Sequence, residues 1–347
     1  MYQKRIKKWS NKKSSKSKNI KNYGRSVIEI LINIKLYLFF LLFYLYFHLK
    51  IKKNVLKIPF FQESPGKNET KICICTLGKE ENLYVREYLE HYFNLGINKV
   101  YISDNNDING EKFEDVISDY IEKGLVEIYN WRGKYDCQFN IMNECYKKHK
   151  NEYDWIMFSE FDEFIHLYNN YTKVSTFLDE PKFNNCEIVY LNLACHTDGG
   201  QTHYVNKPLK ERFPHLVPNT MIGGQRLEIK FILRGNLKNA PIYCVHRGNM
   251  GLKNCNGFGH VNKYKSIFTT EPDTTYYYYD HYYGKSTEEF IKKIKRGVMT
   301  WKEDRHKFGR IKKYFEENEL TMEKILMIEN GTGFDLSSYK RELEKKK

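Results

Sequence analysis

The stretch YDWIMFSEFDEF, residues 153–164, guides the fold prediction because an apolar strand pattern runs directly into a cluster of acids. Trp155–Phe158 has the composition of a buried strand. Glu160, Asp162 and Glu163 follow within four positions. Burying ionised carboxylates without compensation is costly, so a bound cation, a basic neighbour or water at a strand end is expected beside them.

The spacing of these acids suggests a cation site. If the strand continues through residue 162, Glu160 and Asp162 project to the same face and Glu163 to the other, because side chains alternate along a strand. Two carboxylates so placed can hold Mn²⁺ or Mg²⁺, hard cations that take oxygen ligands and carry a substrate diphosphate. Acid-x-acid triplets are common, so a solvated strand end stays open as the alternative.

Strand and helix patterns alternate through residue 165. Strand patterns cover 71–77, 98–104, 125–131 and 155–158, and helix patterns lie near 81–95, 111–124 and 138–149. This alternation predicts an α/β fold with a mostly parallel, doubly wound sheet flanked by helices. Ligands bind at the carboxyl ends of the strands in such sheets, so the polar strand ends are expected to meet at one rim. After residue 185 the pattern is less regular, and the helical, charged segment from Ser286 onward is typical of solvated surface.

The formal charge of +14 belongs to the amino-terminal end. Residues 1–53 contain fourteen Lys and Arg and one acid, Glu29, which leaves about +1 for residues 54–347. A nearly neutral body argues against a protein that binds DNA or RNA.

Residues 30–49, ILINIKLYLFFLLFYLYFHL, are apolar except at three positions. Twenty helical residues span about 30 Å, the hydrocarbon thickness of a bilayer. Ten positive residues before this segment and three just after it predict an uncleaved signal-anchor of a single-pass type II membrane protein. The body would then lie in the Golgi or ER lumen if the host is eukaryotic. A buried core helix is the alternative.

Sequons and cysteines agree with such a compartment. Sequons begin at Asn68, Asn170 and Asn330, and the chain has eight cysteines. Cys73 and Cys75 would lie on one face of a strand, and the two-pair CxxC spacing of a zinc site is lacking. The pairing of the cysteines cannot be read from their spacing.

The ordered motifs resemble GT-A glycosyltransferases, in particular the family 92 and family-2-like group. Their metal motif, Asp-x-Asp-Glu-Phe after an apolar strand, corresponds here to Glu160-Phe161-Asp162-Glu163-Phe164, with Glu replacing the first Asp. Other similar segments, in the family's order over about residues 71–300, are Lys79-Glu80-Glu81, Val85-Arg86-Glu87-Tyr88, Leu95-Gly96-Ile97-Asn98, Ser103-Asp104-Asn105, Lys207-Pro208, Glu211-Arg212-Phe213, Lys230-Phe231-Ile232-Leu233-Arg234, His246 and His281-Tyr282-Tyr283-Gly284-Lys285.

Charge, hydropathy and the resemblance together predict five segments. These are a basic cytosolic tail (1–25), a transmembrane signal-anchor (26–49), a stem (50–70), a GT-A-like (Rossmann-like) domain with a mixed, mostly parallel sheet (71–300) and a carboxyl-terminal helical extension (301–347). The resemblance implies metal-dependent transfer of a sugar from a nucleotide-sugar donor, expected to be UDP-linked, to a glycan or glycoconjugate acceptor.

The resemblance assigns candidate roles to individual residues. Glu160 and Asp162 would bind Mn²⁺ or Mg²⁺, with His246 as a candidate third ligand. Glu81 and Asp104 would face the nucleoside. The remaining candidates for binding the donor are Lys230, Arg234, His281 and Lys285, of which the lysines and the arginine would contact the diphosphate.

An inverting transfer needs a carboxylate general base, and Asp198 is the predicted one. It lies in the loop CHTDGG, residues 195–200, after a strand pattern. An Asx turn before Gly199 and Gly200 is the alternative role of Asp198, and Glu163 and Glu228 are the next candidates for the base. The alternative function is a catalytically inactive, membrane-tethered carbohydrate-binding module on the same fold.

Overall fold

The computed structural model describes most of the chain after residue 68. The described residues are 69–135, 137–168, 171–217, 228–243, 246, 248, 251–261, 273–297 and 306–345. The predicted tail and signal-anchor, and the predicted stem up to residue 68, lie outside them. Within the described ranges, no helix has both the length and the apolar character needed to cross a membrane.

The first half of the sheet contains four parallel strands in the order β3-β2-β1-β4. They are β1 (Ile72–Gly78), β2 (Lys99–Asp104), β3 (Val126–Asn130) and β4 (Trp155–Phe158). Between them lie helices α1 (Val85–Asn94), α2 (Glu114–Glu122) and α3 (Gln138–His149). The predicted alternation of strands and helices is therefore confirmed for this half.

Helices cover both faces of this half of the sheet. Side chains alternate along β1, so its residues pack against the helices of both faces. Ile72 and Ile74 belong to the apolar core that contains the buried side chains of α1 and α2. Cys73 and Cys75 belong to a second core that contains those of α3. A disulfide between Cys75 and Cys145 joins β1 covalently to α3.

The second half of the sheet is mixed. It contains β5 (Glu163–Leu167), β6 (Ile188–Cys195), β7 (Ile229–Arg234), β8 (Asn254–Asn256) and β9 (Tyr277–His281). The order continues from β4 through β7, β6 and β9 to β5, with β8 beside β6. β7 runs antiparallel to both β4 and β6, whereas β6 and β9 are parallel. The described strands therefore form a mixed α/β sheet.

Helices dominate the carboxyl-terminal part. The remaining α-helices of the described ranges are α4 (Val174–Leu178), α5 (Leu209–Arg212), α6 (Thr287–Arg296), α7 (Lys307–Glu317), α8 (Met322–Thr332) and α9 (Ser337–Lys345). A capping box between Ser286 and Glu289 begins α6. Buried residues of α6, α7 and α8, including Phe290, Tyr314 and Ile328, form an apolar core of their own.

The strand β4 ends at Phe158, so the expectation that it continues through residue 162 is wrong. A turn follows instead, in which the amide of Glu163 donates to the carbonyl of Glu160 (3.0 Å) and the amide of Glu160 donates to Glu163 Oε2 (2.9 Å). The Phe161 ring packs against Gly78, where a Cβ would lie 2.3 Å from a ring carbon. The turn, rather than strand alternation, therefore sets the directions of the three acids.

Candidate active site

A cavity of about 390 Å³ lies at the carboxyl ends of β1 and β4. Its wall carries four acids, two histidines and five cations: Glu81, Glu160, Asp162, Glu228, His246, His281, Lys79, Lys293, Arg296, Arg310 and Lys313. The structure thus brings together five of the predicted metal and donor-binding residues, which are Glu81, Glu160, Asp162, His246 and His281, and Glu228, one of the next candidates for the base.

Asp162 is one of two buried acids of this wall, the other being Glu81. Its Oδ2 lies 2.6 Å from Lys293 Nζ, and its Oδ1 lies 3.8 Å from His281 Nε2. Burial alone would raise the pKa of Asp162, but the charges of Lys293 and Lys285 outweigh burial and hold the pKa well below its ordinary value. Asp162 is therefore ionised at neutral pH.

Asp162, Glu163 and His281 form a group that fits a small divalent cation. Each offers one ligand atom, and these atoms lie within 4.8 Å of one another. An ion with bonds of about 2.0–2.1 Å places opposite ligands about 4 Å apart, so only a small adjustment is needed. Burial lowers the pKa of His281 well below its ordinary value, so its imidazole is neutral and can act as a ligand.

His246, the predicted third ligand, has a different position. It lines the cavity, and its Nδ1 lies 3.1 Å from the carbonyl oxygen of Ile229. The group of potential ligands found in the described part of the chain contains His281 in its place.

Lys230 contacts the turn after β4 that carries Glu160 and Glu163. Its buried Nζ lies 2.9 Å from Glu163 Oε1 and 3.3 Å from Glu160 Oε2. Burial raises the pKa of Glu163 to about 8 despite the opposing charge of Lys230, with the charges of Glu160 and Asp162 adding to the rise. Lys230, a predicted diphosphate contact, is not among the described residues that line the cavity, and in the structure it contacts these acids instead.

Glu81 is held by two basic side chains. Its Oε1 accepts a hydrogen bond from Arg296 (2.5 Å), and its Oε2 lies 3.8 Å from Lys285 Nζ. Lys285 is buried with its ammonium 3.7 Å from the centre of the Tyr84 ring, so it contacts Glu81 and Tyr84 rather than the cavity wall. Glu80 (φ 55°) and Lys285 (φ 52°) both adopt left-handed backbone conformations, which are uncommon for non-glycine residues.

Asp104 forms an ion pair instead of facing the cavity. Its Oδ2 lies 2.5 Å from Arg132, and its Oδ1 accepts from the backbone amide of Asn106 (2.9 Å). The same guanidinium donates to the carbonyls of Asp107 and Gly110, which fixes the loop after β2. The placement of Asp104 therefore departs from its predicted contact with a nucleoside. Arg132 was not among the predicted site residues, although its position just after β3 places it at the same rim.

Arg234, a predicted diphosphate contact, lies away from the cavity wall. Because β7 is antiparallel to β4, Arg234 pairs with Trp155 at the amino end of β4, at the edge opposite the acids. Its guanidinium donates to the carbonyls of Cys186 and Phe183 (2.9 Å each) and lies 4.1 Å from the centre of the Trp155 ring. Arg234 therefore stabilises the far edge of the sheet.

Asp198 also lies away from the wall. Its Oδ2 lies 2.5 Å from Lys324 Nζ and accepts from the Tyr314 hydroxyl (2.8 Å), while its Oδ1 accepts from the amide of Gly200 (2.8 Å). The last contact is the Asx turn that was the alternative to a general base. Because Asp198 is only 2% exposed and is enclosed by these partners, its placement does not match the expectation that it faces an acceptor.

Helices α6 and α7 supply cations that the sequence analysis had treated as solvated surface. Lys293 and Arg296 come from α6, and Arg310 and Lys313 come from α7. The sequence carried one sign of this position. Glu289, Lys293 and Arg296 are spaced so that they share one face of α6, and Glu289 on that face is buried.

Glu228 lies directly before β7 and lines the cavity. Its Oε2 lies 3.6 Å from Lys313 Nζ. Burial raises the pKa of Glu228, but the charges of Lys313, His246 and Lys230 outweigh burial and lower it below the ordinary value. Glu228 is therefore an ionised carboxylate facing the cavity.

A family model described as glycosyltransferase family 92 matches residues 68–324, most of the chain. The chain belongs to glycosyltransferase family 92. Curated family 92 relatives include a protein of Ricinus communis, 21% identical over 137 residues, and one of Oryza sativa subsp. japonica, 22% identical over 148 residues. The matches cover 39% and 41% of this chain and 24% of each relative, so the chain spans about a quarter of the length of these relatives.

Solved structures give remote similarities to this family 92 chain. S. aureus TarS in complex with UDP-GlcNAc is 13% identical with a TM-score of 0.33, and the match covers 76% of this chain and 80% of the TarS chain. The mannosyltransferase PcManGT from Pyrobaculum calidifontis, in complex with GDP-Man and Mn²⁺, is 9% identical with a TM-score of 0.27. That match covers 42% of this chain and 41% of the mannosyltransferase chain.

Proposed function

We propose that this family 92 protein transfers a sugar from a nucleoside-diphosphate donor to a glycan or glycoconjugate acceptor, on a GT-A-like fold. The observation that carries the proposal is the cavity at the ends of β1 and β4, where Asp162 and His281 lie beside the cations of α6 and α7. A diphosphate leaving group gains negative charge as the sugar departs, and positive groups fixed beside it stabilise that charge.

Asp162 and His281 are the proposed ligands for Mn²⁺ or Mg²⁺, with the predicted ligand Glu160 on the same wall. A divalent ion bound there would supply positive charge to the leaving diphosphate. Glu163, paired with Lys230, holds the turn that presents Asp162. Lys293 and Arg296 lie on the same wall and are suited to bind the diphosphate oxygens.

Glu228 is the proposed general base. Among the acids of the wall, Glu81 is held by Arg296, whereas Asp162 and Glu160 belong to the proposed cation site. Glu228 would accept the proton of the acceptor hydroxyl as its oxygen bonds to the anomeric carbon and the bond from that carbon to the diphosphate breaks. Attack from the face opposite the diphosphate would invert the configuration at that carbon.

The direct test is a panel of nucleotide sugars, beginning with UDP-linked donors, incubated with the purified full chain and Mn²⁺. The proposal predicts release of the nucleoside diphosphate, enhancement by an acceptor glycan, and loss of both with a chelator. The alternative, an inactive carbohydrate-binding module, predicts glycan binding without hydrolysis or transfer from any donor. Chelator-resistant turnover would contradict the metal dependence alone.

We also propose that residues 26–49 anchor the chain in a membrane with the body on the lumenal side. The disulfides Cys75–Cys145 and Cys186–Cys255 support this location, because disulfides form and persist mainly in oxidising compartments. Protease treatment of intact microsomes tests the proposal. The body should resist digestion until detergent is added, and digestion without detergent would contradict the topology.

A further inference from the structure

The ring of Tyr283 lies on the cavity wall among the basic side chains of α6 and α7. The ammonium of Lys293 lies over this ring, 4.2 Å from its centre, and that of Lys313 lies 4.8 Å from the same centre. Both distances suit a cation–π interaction, in which the negative face of an aromatic ring attracts a cation. The Nε of Arg310 donates to the Tyr283 hydroxyl (3.3 Å). Cations of both helices therefore contact this one side chain.

The position of this ring is fixed from several sides. The backbone before it is bound to the turn after β4, because the amide of Tyr282 donates to the carbonyl of Asp162 (2.9 Å). The Tyr283 ring packs against the apolar core of α6, α7 and α8, and its centre lies 5.6 Å from that of the His281 ring. Tyr283 therefore presents an aromatic face at a defined place beside the proposed cation site.

Lys293 contacts both the proposed cation site and Tyr283. Its Nζ lies 2.6 Å from Asp162 Oδ2, donates to the carbonyl of Tyr283 (3.1 Å) and lies over the Tyr283 ring. A divalent cation bound to Asp162 would occupy the carboxylate and repel the ammonium, since like charges a few Å apart disfavour each other. The contact with Asp162 is then lost, whereas the carbonyl and the ring of Tyr283 stay in place.

We propose that Tyr283 is a positioning residue that keeps Lys293 at the cavity wall when a divalent cation displaces it from Asp162, so that the ammonium can bind the diphosphate of the donor. The inference rests on the proposed function and its cation site. Without the ring, a lysine that has lost its carboxylate partner gains rotamer freedom in solvent, and ordering it again lowers the affinity for the donor. The ring thus orders the ammonium before the donor binds.

The test is the affinity of the full chain for a nucleoside diphosphate in saturating Mn²⁺, measured by isothermal titration calorimetry with UDP and with GDP. For the nucleotide that binds more tightly, Tyr283→Leu should raise the Kd about fivefold, whereas Tyr283→Phe should keep it within about twofold of wild type. The carbonyl of residue 283 is present in every variant, so the comparison isolates the ring. Tyr276→Leu is the matched control, because Tyr276 is a partly buried tyrosine at the other end of β9, and its Kd should stay within about twofold of wild type.

A series of fluorinated phenylalanines at position 283 tests the electrostatic basis of the contact. Fluorine withdraws charge from the face of the ring and changes its shape little, so folding does not confound the comparison. The proposal predicts that the Kd of the nucleotide rises with the number of fluorines, from phenylalanine to its pentafluoro derivative. A Kd that stays constant across the series would overturn the proposal.

A double-mutant cycle shows whether the ring acts through Lys293. In a Lys293→Met background, Tyr283→Leu should change the Kd by less than about twofold, because the ammonium that the ring positions is gone. An equally large effect of Tyr283→Leu in both backgrounds would overturn the proposal, since the ring would then act through another contact.

The ¹H resonances of the Lys293 ε-methylene in the full chain provide a readout without nucleotide, with Mg²⁺ as the diamagnetic cation. The proposal predicts that the ring of Tyr283 shifts these resonances and that the shift persists at saturating Mg²⁺. Loss of the shift when Mg²⁺ binds would overturn the proposal.

The outcomes separate this inference from the proposed function. If the wild-type chain neither binds UDP or GDP nor hydrolyses any donor, the proposed function fails and the inference fails with it. If the wild-type chain binds nucleotide and hydrolyses a donor, but the Kd stays constant across the fluorinated series, only the role of Tyr283 is overturned.

Discussion

Asp162 and Asp198 are both buried aspartates beside a lysine, yet only one lies at the cavity. Asp162 lies 2.6 Å from Lys293 Nζ, and Asp198 lies 2.5 Å from Lys324 Nζ. The Lys293 side chain is 15% exposed and lines the cavity, whereas the Lys324 side chain is 2% exposed. A buried acid with a basic partner is therefore not in itself a sign of catalysis. A basic partner that lines a cavity, where a ligand can displace it from the acid, is better evidence for a functional site.

The largest expected effect on sugar transfer is that of Asp162→Asn. Losing several kcal/mol of charge stabilisation in the transition state should slow transfer by about a thousandfold. The thermal unfolding midpoint should change little, because Lys293 can turn toward solvent. Transfer rates with saturating donor and Mn²⁺ test the prediction, and a variant with normal turnover would remove Asp162 from the proposed site.

Glu228→Gln should slow transfer by at least about a hundredfold, because a general base typically contributes about a hundredfold to ten-thousandfold. The substitution preserves size and removes basicity, so the KM for the donor should stay within about threefold of wild type. Steady-state kinetics with varied donor separate the two parameters. A raised KM with a normal kcat would make Glu228 a donor contact rather than a base.

Lys293→Met should raise the KM for the donor about tenfold, because a hydrogen bond to a charged group contributes about 1.5–3 kcal/mol. The Kd of Mn²⁺ should fall, since the ammonium that competes for Asp162 is gone. The matched control is Lys292→Met, which removes the neighbouring lysine, whose side chain is 57% exposed. Equal effects of the two substitutions on KM would show that the specific contact of Lys293 is unimportant.

The smallest expected effect on transfer is that of Asp198→Asn, which should act on stability instead. Removing the charge of Asp198 leaves Lys324 buried without compensation, at a cost of about 3–5 kcal/mol in the free energy of unfolding. The folded protein should transfer sugar within about threefold of wild type. Denaturant unfolding measures the first quantity, and Asp198→Asn with Lys324→Met should recover much of the loss. A stable variant with little transfer would return Asp198 to the role of base.

The parallel half of the sheet could be predicted because its signals are local. The first three strand patterns are each followed by a polar end and a helix, and the parallel order of β1 and β4 brings Glu81 and Asp162 to one rim. Even there, the partners of Asp104 could not be predicted. Whether an acid at a strand end faces a ligand or pairs with Arg132 depends on a loop from another strand.

The mixed half could not be predicted, because the direction of a strand is set by its pairing with distant segments. The pattern of β7 gives no sign that it runs antiparallel to β4, so nothing in the sequence showed that Arg234, a diphosphate candidate by resemblance, lies at the edge opposite the acids. Glu228, at its near end, ranked below Asp198 among the candidate bases. The cations of α6 and α7 were missed for a similar reason, since a charged helix looks solvated until its packing is known.

The most direct test of the central claim is the Mn²⁺ affinity of the full chain with Asp162→Asn and with Asp198→Asn, measured side by side under conditions in which both are folded. If the cavity acid binds the cation and the enclosed acid only stabilises the fold, Asp162→Asn should raise the Kd at least about tenfold and Asp198→Asn should leave it unchanged. Equal affinities in the two variants, or a loss confined to Asp198→Asn, would contradict the account.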